Sequence, residues 1–345
     1  MKLRHALSML ALMMPQTLFA ARYYTGLVVP LDADYGVPFL SWDRDISSEL
    51  PDNLDLREAG HITAVKNQGS CGSCWAFAGV AAMESALLKA NAQDLDLSEQ
   101  ELVSCDGESN GCGGGWQPFG YMVKKGIGAE AYFPYAGRNL SCKRIPPVAK
   151  ALRWANVGAP DRRATVDEAR KALTDFGGLW VSVGANSYWR NVAGGTINRC
   201  SNSQVNHAVT LAGFQKNDDN PSRAPSFQFL VKNSWGKDWS EDGYVKTPLG
   251  CNNLGRHTSF VVPEGHECTP PEFGLAKKVV LTGGKYVVHA KGLEAAGMPY
   301  SWYKVGSRVF GSGPVVAAPR QIADYVVKTK NSCGVWTQMV KVVTL

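Results

Sequence analysis

Nine cysteines in a chain that opens with an export signal limit, more than any other feature, what this sequence can fold into. Lys2 and Arg4 precede an apolar stretch that ends in small residues, the pattern of a secretory signal peptide over residues 1–21. The alternative, a membrane anchor, is disfavoured because the apolar run is short and Pro15 interrupts it. Thiols pair in an oxidising compartment, and nine is odd, so one thiol lacks an intramolecular partner. That thiol is either reactive, or buried and inert, or paired between chains.

The chain divides by pattern into four parts. Residues 22–50 have no clear period and form a short leader after the signal peptide. Residues 51–263 begin with helical patterns, notably over 74–91, and continue with strand patterns after position 178. A proline-containing linker then leads to short strand patterns in residues 264–345, which predict a small all-β domain. We therefore expect an α+β part, 51–263, with two lobes, followed by a β-sandwich.

The most specific segment is residues 68–77 (QGSCGSCWAF). Cys74 opens the predicted helix, where the helix dipole and free amides favour a negatively charged sulfur. His207, within NHAV, follows 133 residues later and can accept the thiol proton. Asn233, within KNSWG, can hold the far nitrogen of the imidazole ring. Cys71 and Cys74 alone would also fit a redox or metal motif, but the flanking residues and the His and Asn disfavour that interpretation.

These motifs resemble the active-site segments of the papain family of cysteine proteases, over roughly residues 50–263. The resemblance implies a papain-like fold with a helical lobe and a β-barrel-like lobe. It also implies that Cys74 is the nucleophile, His207 its base and Asn233 the residue that orients the base. The side-chain amide of Gln68 and the backbone N–H of Cys74 would form the oxyanion hole.

The resemblance also predicts where a peptide substrate binds. Gly114 and Gly115, in CGGGW, would let an extended peptide approach the main chain closely. Trp116 would wall the neighbouring side-chain pocket, Ser259 would lie at its base, and Trp235 would cover the site and shield the Asn233 hydrogen bond from water. No cofactor and no metal are implied, because no group of His, Cys and acidic residues has zinc spacing.

The resemblance further implies a cysteine pairing that leaves Cys74 as the free thiol. The implied pairs are Cys71 with Cys112, Cys105 with Cys142, and Cys200 with Cys251. Cys268 and Cys333 remain in the C-terminal part and pair by elimination. The leader has too few residues for the long helical prosegment of many family members, so it either inhibits differently or provides no latency.

The basic charge of the chain is concentrated in the C-terminal part. Residues 265–345 hold 10 Lys and Arg against 4 Asp and Glu. Such a surplus fits an anionic surface or glycan as partner, or simply a soluble, solvated face. We expect a monomer with peptide or protein substrates and no nucleic-acid partner, secreted to the extracellular space or periplasm, or to a lysosome-like compartment in a eukaryote. Two competing functions are a catalytically inactive domain and a cell-wall amidase.

Overall fold

The structure is a computed structural model that describes most of residues 23–264 and the strands that follow. Described are 23–34, 36–42, 45–160, 162–217, 227–264, 271, 278–281, 286–289, 300–304, 309–312, 315–318, 323–331 and 334–344. The predicted signal peptide lies outside these residues. Among the described residues, no helix has the length and apolar character needed to cross a membrane.

Five α-helices lie in the first two thirds of the described chain. They are α1 (Cys74–Asn91), α2 (Glu99–Cys105), α3 (Phe119–Lys125), α4 (Val166–Phe176) and α5 (Ser187–Arg190). Helix α1 has the bounds that the apolar pattern predicts, and all of its residues from Cys74 to Leu87 are buried. Its alanines favour a helix and permit close packing on every side. It ends at Ala92, whose left-handed backbone (φ 51°) stops the helix.

Fifteen strands are described. They are β1 (Pro38–Ser41), β2 (Asn53–Asp55), β3 (Ala151–Val157), β4 (Leu179–Val183), β5 (His207–Lys216), β6 (Phe227–Lys232), β7 (Tyr244–Thr247), β8 (Thr258–Pro263), β9 (Lys278–Leu281), β10 (Tyr286–His289), β11 (Tyr300–Lys304), β12 (Val309–Ser312), β13 (Val315–Ala318), β14 (Ala323–Asn331) and β15 (Gly334–Thr344). Eleven of them form one path in the order β12-β11-β14-β15-β1-β3-β8-β4-β5-β6-β7, with β2 attached to β5 and β9 to β15. Strands β10 and β13 form a separate pair.

Two large hydrophobic clusters and a small third one form the core of the described residues. One is centred on α1 and includes Trp75 and Phe119. The other is built on the sheet and α4 and includes Phe176 and Phe260, whose rings stack with centroids 3.8 Å apart. Such paired cores place the start of α1 next to the start of β5, where the candidate site lies.

The C-terminal strands are joined to the strands of residues 51–263 through the leader strand β1. Strand β1 pairs antiparallel with β15 on one edge and parallel with β3 on the other. Trp336 of β15 is fully buried in the same cluster as Leu40 of β1 and Phe260 of β8. The expected all-β character of residues 264–345 agrees with these strands. The expectation of a separate domain beginning at 264 stays a prediction, and the described sheet continues across that boundary.

Three disulfides join the pairs that the family resemblance implies. They are Cys71–Cys112, Cys105–Cys142 and Cys200–Cys251. Cys74 is the free cysteine among the described residues. Cys268 and Cys333 lie outside those residues, so their pairing stays a prediction.

Candidate active site

Cys74 occupies the first position of α1, where the unpaired amides of a helix start favour negative charge. The residue is completely buried. Main-chain N–H groups of Ala208 and Gly26 lie within hydrogen-bonding reach of its sulfur and favour the thiolate. Burial outweighs these amides and raises the pKa of the Cys74 thiol to about 12. In this covered state the sulfur therefore holds its proton.

His207 and Asn233 form the second half of the site. His207 begins β5, and Asn233 follows directly on β6, its neighbour in the sheet. His207 Nε2 donates to Asn233 Oδ1 at 2.8 Å, which leaves Nδ1 without a hydrogen-bond partner among the described residues. Burial lowers the pKa of His207 to about 4 against the opposing effect of the Asn233 hydrogen bond. The ring is thus neutral here, with its second nitrogen available to a proton from sulfur.

Gln68 is held rigidly three residues before Cys71. Its side-chain Nε2 donates to the Cys71 carbonyl at 2.9 Å, and its Oε1 accepts from Ser234 Oγ at 2.7 Å. The side chain is completely buried. A primary amide has two N–H groups, so Nε2 retains a second donor beyond the bond to Cys71. The bond to Ser234 connects this amide to the residue that follows Asn233.

The leader fills the groove beside these residues. Gly115 N–H donates to the Gly26 carbonyl at 2.9 Å, and Val28 N–H donates to the Gly115 carbonyl at 3.0 Å. From the opposite wall, the Asn206 carbonyl accepts from Leu27 N–H at 3.1 Å. Residues 26–28 therefore lie extended between the two walls, bound through their main chain as a peptide would be.

Glycine is required where the leader crosses the site. A Cβ on Gly26 would lie 1.8 Å from the Gly72 carbonyl oxygen, and a Cβ on Gly114 would lie 2.7 Å from the Gly26 carbonyl oxygen. Both contacts are with backbone atoms, which a side-chain rotation cannot relieve. Gly114 also has φ 120°, a conformation that other residues rarely adopt. The predicted glycine strip is thus in contact with the leader.

Aromatic rings cover the histidine. Trp235 stacks on His207 with centroids 4.5 Å apart, and Tyr23 also stacks on Trp235, at 4.8 Å. Trp235 Nε1 donates to the Tyr24 carbonyl at 2.9 Å. Water is therefore kept from the bond between His207 and Asn233, which strengthens that bond.

The two residues expected to form the side-chain pocket, Trp116 and Ser259, both have neighbours that the structure describes. Trp116 packs edge-on against Trp180 and against His257, with centroids 5.1 Å and 4.9 Å apart. Ser259 is completely buried and donates to Asn156 Oδ1, so its predicted role at the pocket base stays a prediction. The sequence analysis missed His257, although it lies only two positions before Ser259. Burial lowers the pKa of His257 to about 4.

Comparison with known proteins gives consistent results. The family profile described as "Papain family cysteine protease" matches residues 50–263, more than half of the chain. Cysteine proteinase 2 of Leishmania pifanoi is 34% identical over 245 residues, which are 68% of this chain and 53% of that protein. Cathepsin K of Mus musculus is 34% identical over 239 residues, 66% of this chain and 69% of that protein. This chain thus spans about half the length of the Leishmania relative.

Solved structures share the fold. The digestive procathepsin L2 proteinase from Tenebrio molitor larval midgut matches with a TM-score of 0.62 and 29% identity, covering 69% of this chain and 78% of that one. The mixed α+β architecture of residues 50–263 is therefore papain-like. The C-terminal strands lie outside the matched family region.

Proposed function

We propose that this chain, which belongs to the papain family of cysteine proteases, is a secreted endopeptidase that cleaves peptide bonds through Cys74 and His207. The observation that carries the proposal is the bound leader. An extended peptide, residues 26–28, is held by main-chain hydrogen bonds from Gly115 and to Asn206, with Gly26 N–H at the sulfur of Cys74. A groove that holds one peptide backbone beside a thiol can hold a substrate in the same way.

The reaction follows from the placement of the groups. Nδ1 of His207 takes the thiol proton, and the Cys74 sulfur attacks the substrate carbonyl carbon. The second N–H of Gln68 Nε2 and the N–H of Cys74 stabilise the negative oxygen of the tetrahedral intermediate. His207 then gives its proton to the leaving amine, and water hydrolyses the thioester to a carboxylic acid and the free thiol. Asn233 accepts the hydrogen bond from Nε2 of the ring, so that Nδ1 is the nitrogen that exchanges the proton with the sulfur and the leaving amine.

We further propose that the leader keeps the enzyme latent. With the leader in place, burial favours a protonated Cys74 and a neutral His207, the inactive combination. Opening the groove admits water, which removes the desolvation that disfavours both charges and permits the thiolate–imidazolium pair. The leader thus blocks both the substrate groove and the formation of the active ion pair.

The remaining assignments are proposals of the same kind. Residues 264–345 constitute an all-β, immunoglobulin-like domain, and their basic surplus supports binding to an anionic surface or glycan. The signal-peptide pattern supports secretion, and the protein acts as a monomer on peptide and protein substrates. Trp116 contributes to the side-chain pocket, and it packs against the hydrophobic cluster that contains Leu27 of the leader.

The test is a series of single substitutions assayed on end-blocked peptides. We expect Cys74→Ala to abolish hydrolysis and His207→Ala to lower kcat more than Asn233→Ala does, because His207 moves the proton and Asn233 only positions it. Ser70→Ala, at an exposed position close by, is the matched control and should retain wild-type turnover. Turnover by folded Cys74→Ala comparable to wild type would rule out the proposed nucleophile, and cleavage restricted to peptides with free ends would rule out endopeptidase action.

A further inference from the structure

We propose that activation cleaves the leader in the turn at Leu31–Asp32, and that the active enzyme retains β1 as a permanent strand of its sheet. The inference rests on the proposed peptidase function. It divides the leader into two parts with different fates. We call residues 23–30 the plug, which leaves together with Leu31, and the part that begins at Asp32 and contains β1 the retained segment.

All contacts that block the groove belong to the plug. Tyr23 stacks on Trp235, Gly26 and Val28 bond to Gly115, and Leu27 bonds to Asn206. Loss of residues 23–30 would therefore remove the main chain that lies at Cys74 and the ring that stacks on Trp235, while Trp235 would stay on His207. Removal of anything beyond the plug is not needed to open the site.

The turn that follows the plug is the accessible point of the leader. Ala33 N–H donates to the Pro30 carbonyl at 3.2 Å, which makes Leu31 and Asp32 the central residues of a β-turn. The Leu31 side chain is fully exposed, at 105% of its reference area, and Asp32 is exposed as well. Exposed turn tips are where proteolytic cuts concentrate.

The segment after the turn is built into the molecule. Val37, Phe39 and Leu40 are exposed by only 5%, 4% and 0%. Strand β1 has hydrogen-bonded neighbours on both edges, pairing Leu40 with Trp336 of β15 and with Val157 of β3.

Two further main-chain bonds extend this pairing, from Gly36 N–H to the Met339 carbonyl at 2.9 Å and from Gly158 N–H to the Leu40 carbonyl at 2.7 Å. Extraction of β1 would leave the facing edges of β3 and β15 unpaired, although β3 would keep β8 and β15 would keep β14, and it would open the hydrophobic cluster that contains Leu40. Processing that stopped in the turn would leave this whole arrangement undisturbed.

The cut is a hydrolysis by a second copy of the enzyme. The chain's own Cys74 lies under Gly26, so the bond after Leu31 is not at its own nucleophile. One water is consumed: the thiolate of the second copy displaces the Asp32 amine, and water then releases Leu31 as a new carboxylate. The plug, now a short peptide, is free to dissociate.

The experiment uses the full Cys74→Ala chain as substrate for the wild-type enzyme, with intact mass and N-terminal sequencing as readout. We expect a product that begins at Asp32 and resists further shortening, formed at a rate proportional to wild-type concentration. A stable product that begins after Ser41 would overturn the inference and leave the proposed function standing. So would the absence of a cut in the turn, if the same wild-type sample hydrolyses a small peptide. Absence of small-peptide hydrolysis would instead count against the proposed function.

A second measurement does not depend on the activity of this enzyme. The Cys74→Ala chain is treated briefly with subtilisin, and the first cut is mapped. We expect the cut within 31–34 and at least a tenfold slower cut in Leu31→Pro, because proline fits the second position of a β-turn and stiffens it. A first leader cut within β1, or an unchanged rate in Leu31→Pro, would overturn the accessible-turn argument.

Discussion

Substitution of Gly26 by alanine tests most directly whether the leader keeps the groove closed. The added Cβ would lie 1.8 Å from the Gly72 carbonyl oxygen and 2.6 Å from the Gly72 Cα. Ordinary van der Waals contact requires at least 3.4 Å. The main chain of the plug must therefore move by about 1 Å or more at the point where it crosses Cys74.

The size of the effect follows from the bonds that such a shift breaks. Besides the Gly26 N–H at the Cys74 sulfur, four N–H to carbonyl hydrogen bonds join the plug to the groove in the described residues: two with Gly115, one with Asn206 and one with Trp235. At about 1 kcal/mol each, loss of two costs about 2 kcal/mol. This corresponds to about a 30-fold rise in the fraction of molecules with an open groove.

The assay is the initial rate at which a thiol-reactive peptidyl epoxide labels Cys74 in the uncut chain, with intact mass to prove that the leader is still attached. Gly26→Ala should react about 30-fold faster than wild type. Gly120→Ala is the matched control, because a Cβ there meets no atom within 4 Å. Equal rates in Gly26→Ala and wild type, or equal acceleration by the control, would refute the reasoning.

Two more predictions concern charge. Lys66 bonds to the buried carboxylates of Glu84 and Glu99 at 2.9 and 3.0 Å. Lys66→Met should therefore lower the free energy of unfolding by about 2–4 kcal/mol in denaturant titrations. Lys124→Met, at an exposed ion pair, is the control and should change it by less than about 1 kcal/mol. A smaller loss for Lys66 than for Lys124 would contradict this account. The second prediction concerns His207, whose pKa is about 4 in the covered state against an ordinary 6.5. Protonation of the ring therefore favours the open state. The stability of the bound plug, fully present above about pH 6.5, should be lost as pH falls toward 4. Hydrogen exchange of the leader amides, corrected for intrinsic rates, should show this loss in wild type and not in His207→Gln; a pH-independent plug in wild type would contradict it.

The parts of the fold that the sequence predicts well are those with local signals. Helix α1 has an apolar pattern along its whole length. Helix α4 begins with Thr165 followed three residues later by Glu168, the sequence signature of a capping box, and the two side chains do bond to each other's backbone. The predicted site residues Cys74, His207 and Asn233 lie together, since each is marked by flanking residues typical of the family. Their catalytic roles stay predictions.

The leader illustrates what sequence patterns leave out. Strand β1 has four residues, too few for a period, and its partners are about 300 positions later in β15 and over 100 later in β3. The extended form of residues 26–28 is likewise imposed by the groove walls and has no local cause. The alternation of residues over Asp324–Lys330 is typical of a strand, and β14 contains this segment, but alternation does not identify which strand lies alongside.

The sheet order has a consequence for how the molecule folds. Strand β1 is among the first segments made, and its antiparallel partner β15 is made about 300 residues later, as the pairing of Pro38 with Gln338 shows. Closure of so long a loop is entropically costly and slows folding. Until β15 emerges, one edge of β1 has unpaired backbone groups that can recruit another chain. We therefore expect folding to finish in a slow, late step that brings the two ends of the described chain together, and truncation of β15 to yield aggregation during synthesis.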